Sequence, residues 1–127
     1  MSGERSSTQI VRLVLTLALV ELTLTTAYIH FSLGGMLFTL NAIGYAALAL
    51  GVAVAAAWPA GPIGRFGWLP RAGLAAYTAA TIGGYLVIGP YFALGWIAKA
   101  IEVAILTLLA ADTALQTWRA RPGPSPR

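Results

Sequence analysis

The sequence predicts an all-α protein, an integral membrane four-helix bundle built from two tight transmembrane hairpins. Three observations lead there. Of the 127 residues, 58% are hydrophobic and 9% charged, against the roughly 25% charged residues usual in soluble domains. Four apolar stretches are each long enough to approach the roughly 30 Å of a hydrocarbon core at 1.5 Å per helical residue. All seven prolines fall outside those stretches.

The first span is expected over 10–33, where the apolar text is broken by Arg12, Glu21, His30 and several hydroxyls; Met1 to Gln9 is polar. Gly34-Gly35 gives the backbone an inexpensive place to leave helical geometry, so a second span over 36–58 should fold back on the first. Pro59 to Pro70 contains three prolines and three glycines, too many breakers for a regular helix, and its Phe66 and Trp68, with the preceding Trp58, suit an interfacial level. A third span is expected over 71–89 and a fourth over 91–118, with Gly89-Pro90 as the turn; proline is tolerated in a first helical turn because its missing N–H would be unpaired there. The tail 119–127 is basic and proline-rich and is expected to be disordered. The whole is one domain.

Charge orders the spans. Arg5 and Arg12, Arg65 and Arg71, and Arg119, Arg121 and Arg127 form three basic regions, while both glycine-containing turns are uncharged. Positive residues are retained on the cytoplasmic side, so the expected placement is the cell membrane, multi-pass, with both termini cytoplasmic and the lipid bilayer as partner. Because the arginines form no face, nucleic acid is not an expected partner.

An ionisable group at membrane depth needs a partner, a cavity or a task. Glu21 lies halfway along the first span, with Thr25 and Tyr28 on its stripe; it is either a protonated acid bonded to a neighbouring helix or a site where a proton and a cation compete. Lys99 and Glu102 are three apart on the fourth span, close enough to pair, and serve either the bundle, a substrate or another subunit. Asp112 lies nearer the cytoplasmic end. His30, the one histidine, and Asn41 beyond the turn face each other in this reading and form a possible relay. Gly44, Ala47 and Gly51, and Gly73, Ala76, Ala80 and Gly84, form small-residue faces for close helix packing.

No nucleotide-binding, hydrolase or zinc-protease motif occurs, and there is no cysteine. Neither an enzyme nor a cofactor or metal is expected. The leading expectation is a proton- or cation-coupled small-solute transporter acting as an oligomer, with Glu21, Thr25, Tyr28, Lys99 and Glu102 as its substrate or proton site. In length, span number and a first-helix glutamate, Glu21, the chain resembles the small multidrug resistance family, a resemblance that implies dimeric transport; Leu19-Val20-Glu21-Leu22-Thr23 does not match that family's pattern. The alternative is a non-catalytic accessory or assembly subunit of a larger membrane complex. Both place the chain beside a second copy or another membrane subunit.

Overall fold

In the computed structural model, residues 2–119 are described; residues 120–127, most of the tail expected to be disordered, lie outside them. Four α-helices follow one another: α1 (Ser2–Leu33), α2 (Met36–Ala57), α3 (Trp68–Ile88) and α4 (Ala93–Arg119). Each packs on its neighbours in the chain and α4 closes back on α1, so the four form a ring, with the α1–α2 pair making the most extensive contact.

The local chemistry explains most boundaries. Gly34 and Gly35 take φ values of 70° and 85°, a region that disfavours a Cβ, and they leave no room for more than a two-residue turn. α1 extends to Ser2 because its polar opening, SGERSSTQ, contains no proline and continues the helical hydrogen bonding, with Ser7 donating to the Gly3 carbonyl at 3.0 Å. After Trp58 the chain turns through Pro59–Ile63 into a 3-10 turn, Gly64–Phe66, and enters α3 three residues before the expected start. Pro70 is no obstacle, because it stands in the first turn of α3, where its nitrogen has no carbonyl to serve.

The core runs down the ring axis. Leu19, Tyr45, Val52, Leu74 and Ile105 are buried from all four helices. Polar and charged residues lie among them: Thr23, Thr26, His30, Thr78, Lys99, Glu102 and Asp112 are all buried. The supported architecture is therefore an all-α four-helix bundle with an ion-paired, hydrogen-bonded core.

This corrects the expected four-span membrane bundle and what was built on it. Among the described residues, three helical stretches, not four, are long and apolar enough to cross a membrane: Gly3–Leu33, Met36–Ala57 and Ala93–Trp118. α3 is not among them, so the two-hairpin transmembrane architecture lacks its fourth member, and the multi-pass placement with both termini cytoplasmic loses the even number of crossings it rested on. The buried charges close their pairs within one chain, so they call for neither a second copy nor another membrane subunit, and the bilayer is not needed to explain the polar core. In the 18-residue apolar window of each stretch, 22%, 22% and 33% of the residues are buried inside the bundle. Their outward faces carry exposed Leu13, Leu17, Leu40, Leu50, Ile97 and Val103, among others.

The small-residue faces act where α2 meets α3. A Cβ on Gly73 would approach Leu48 Cδ2 to 3.2 Å, and one on Gly51 would approach Pro70 Cβ to 3.2 Å. Gly44 is tighter: a Cβ there would overlap the Tyr77 hydroxyl and lie 2.6 Å from its Cζ. The Tyr77 ring has little freedom to retreat, because it stands edge-on to Tyr45 at 4.9 Å and its hydroxyl donates to the Asn41 carbonyl at 3.3 Å. Gly44→Ala is therefore expected to destabilise the bundle by about 1–3 kcal/mol, the usual range for overpacking, read as a lowered thermal midpoint. Ala47, Ala76 and Ala80 point outward.

Candidate functional site

Helical spacing divides α1 into two faces. Leu19, Thr23, Thr26, Ala27 and His30 turn inward, while Glu21, Leu24, Thr25 and Tyr28 turn outward. Glu21, Thr25 and Tyr28 therefore do share a stripe, but an exposed one. They line an open hollow of about 560 Å³ with Leu17, Val20 and Leu24. Thr25 donates to the backbone carbonyl of Glu21 at 2.8 Å. Tyr28 is 72% exposed.

The inward face meets α4 at Lys99 and Glu102. Lys99 Nζ donates to Glu102 Oε2 at 2.6 Å, and the carboxylate is fully buried. Three further groups surround that carboxylate. Thr81 Oγ1 from α3 lies 3.1 Å from Oε2, Thr26 Oγ1 from α1 lies 3.4 Å from Oε1, and His30 Nε2 lies 3.7 Å from Oε1. Tyr45 from α2 joins through its hydroxyl, 2.6 Å from Thr81 Oγ1. If Tyr45 donates to Thr81, the Thr81 hydrogen is free to point at the carboxylate, giving a chain that ends on the negative charge. Each of the four helices thus supplies a member of one cluster.

His30 has its tautomer set by geometry. Nδ1 lies 2.7 Å from the Thr26 carbonyl, which can only accept, so Nδ1 carries the hydrogen and the neutral ring turns an unprotonated Nε2 toward Glu102. Burial lowers the His30 pKa from the ordinary 6.5, the Thr26 carbonyl and the Glu102 charge push it back up, and Lys99 lowers it. Burial likewise raises the Tyr45 phenol well above its ordinary value, with Glu102 adding to the rise, so Tyr45 stays a neutral donor.

The sign of the pH dependence follows. A histidine whose folded pKa lies below its unfolded value supports the fold above the unfolded value, and that support is lost as pH falls from about 6.5 toward the depressed folded value. The groups facing the ring are Glu102 and Lys99 from α4, Tyr45 from α2 and Thr26 from its own helix. Stability is expected to fall between pH 7 and pH 5 more steeply in the native chain than in His30→Gln, as read from thermal midpoints across that range.

A second ion pair lies near the other end. Arg71 Nε donates to Asp112 Oδ2 at 3.0 Å, Gln116 Nε2 donates to the same oxygen at 2.9 Å, and Arg71 Nη1 reaches the Gly67 carbonyl at 3.1 Å. This ties the start of α3 to the last turns of α4. Comparisons with protein-family models, with curated proteins and with solved structures found no match.

The structure brings Lys99, Glu102 and His30 together and leaves Glu21, Thr25 and Tyr28 on the outside. Asn41 accepts from Tyr77 through its backbone carbonyl, apart from this cluster. The transporter reading placed Glu21 and Glu102 in one substrate or proton site. Glu21 instead occupies an outward hollow and Glu102 has no exposed surface, which overturns a coupling site built on the pair. Neither Lys99 nor Glu102 lines the hollow that holds Glu21. Sequence reasoning missed Thr26, Thr81 and Tyr45. Thr26 was findable, since it precedes His30 by one turn on the stripe that also holds Thr23 and Leu19; nothing local marks Thr81 or Tyr45.

Proposed function

We propose that this chain is a non-catalytic structural or regulatory module, a helical scaffold whose single packing arrangement is held by a closed charge cluster. The observation that carries this is the Lys99–Glu102 contact of 2.6 Å, with the carboxylate enclosed by hydroxyls from two further helices and by His30. A carboxylate already engaged on both oxygens, and shut off from solvent, has no free position for a solute. Its worth lies in specificity: the pair can be satisfied in one register of α4 against α1 and α3, and a slipped register strands both charges. Catalysis finds no support in this arrangement, because His30 turns a ring nitrogen toward the carboxylate and not toward an open space.

Exposing the purified chain to lipophilic cations while following proton release tests the reading. A scaffold releases no protons on addition of the cation. Stoichiometric release that disappears in Glu102→Gln would show the cluster to be an exchange site and would overturn the reading.

A further inference from the structure

At the end of the bundle opposite the Gly34-Gly35 turn, α1, the 3-10 turn, α3 and α4 enclose an open groove of about 1350 Å³. Its floor is apolar, formed by Leu13, Leu106 and Leu109, and its lining includes Arg12, Arg65 and Arg71. The three arginines come from different elements and are separated by 53 and 6 positions in the chain (65 − 12 and 71 − 65), so the fold, not a local charge run, assembles them. Arg71 is neutralised by Asp112. Arg12 and Arg65 are exposed, and among the described residues neither makes an ion pair.

We propose that this groove binds an amphiphile with a phosphate head and an apolar chain. Two unneutralised guanidinium groups match a head of one to two negative charges, and the planar fork of arginine suits the bidentate geometry of phosphate oxygens. The apolar floor rules the choice of ligand further. A small inorganic anion would leave Leu13 and Leu106 facing water, whereas an alkyl chain laid along them removes apolar surface from water at about 25 cal/mol per Å². A volume of about 1350 Å³ accommodates a head group and a chain together, being above the roughly 300–1,000 Å³ of ordinary small-molecule pockets. This inference is independent of the role given to the Lys99–Glu102 cluster.

The test uses the full chain in micelles of a neutral maltoside, with tryptophan emission followed as dodecyl phosphate is added at rising mole fraction; Trp68 lines the groove and reports on it. Saturable binding is expected, with the half-saturation point raised about tenfold in Arg12→Gln and again in Arg65→Gln, the change that corresponds to one lost charge-assisted hydrogen bond of about 1.4 kcal/mol. Both residues are exposed, so the variants keep the fold, which circular dichroism checks, and Glu21→Gln on the far face of α1 should bind as the native chain does. Equal half-saturation in the native chain and both arginine variants would overturn the proposal. So would an equal response to inorganic phosphate, which would make the site one for the free anion, or to added neutral dodecyl maltoside, which would make it a detergent surface only.

Discussion

Glu102→Gln is expected to cost the fold about 3–5 kcal/mol, the range found when one partner of a buried ion pair is removed. The size follows from what is left behind. Lys99 is 7% exposed, so its ammonium keeps its desolvation cost and loses its counter-charge. The Tyr85 ring centroid lies 5.4 Å from Nζ, and a cation–π contact returns only about 0.5–2 kcal/mol. Glutamine keeps the shape and can still accept from Thr26 or Thr81, which separates the charge from the hydrogen bonds. Denaturant unfolding followed by helical circular dichroism measures the loss. A change below about 1 kcal/mol would mean that Lys99 escapes to solvent along its stem.

Tyr45→Ala should be comparably severe, about 3–5 kcal/mol, as for other large aromatic truncations in cores. Tyr45 has no exposed surface and lies where all four helices converge. Its ring packs at 5.6 Å from His30 and 4.9 Å from Tyr77, and its hydroxyl bonds Thr81 at 2.6 Å. Truncation opens a cavity and frees Thr81 from the cluster. Tyr45→Phe separates the two effects: it keeps the volume, removes one hydrogen bond, and should cost about 0.5–1.5 kcal/mol. If both variants unfolded at the same denaturant concentration, the packing account of Tyr45 would be wrong.

The breakers and the apolar periodicity made the helices legible. Gly34-Gly35, the Pro59–Pro70 segment and Gly89-Pro90 each mark a place where helical geometry is hard to continue, and the chain turns at all three. What periodicity could not supply was which face of each helix turns inward. On α1 the inward stripe is Leu19, Thr23, Thr26 and His30, and the outward one Glu21, Thr25 and Tyr28. Both are mixtures of apolar and polar residues, so hydrophobicity does not choose between them. The choice is made by α4, where the Glu102 carboxylate requires a hydroxyl donor that the Thr26 stripe can give.

The pair itself was legible because it is local: a spacing of three on a helix places two side chains on one face. Its surroundings were not, since Thr81 and Tyr45 reach it from other helices. The same limit applies to Arg71 and Asp112, which stand 41 positions apart and meet only because α3 and α4 run side by side. Glu21 misled for a physical reason. A carboxylate in an apolar run looks costly wherever it points, and its direction depends on a rotation about the helix axis that the neighbouring residues leave undetermined.

The most direct test of the account is a double-mutant cycle on Lys99 and Glu102, comparing Lys99→Met, Glu102→Gln and the two together by denaturant unfolding. If the cluster is a structural lock, each single variant is strongly destabilised and the double variant recovers, ending more stable than either single, which requires a coupling larger than the cost of the worse single, above about 3–5 kcal/mol. Additive losses, with the double variant the least stable of the three, would mean that the two charges do not depend on each other inside the bundle, and would contradict the account.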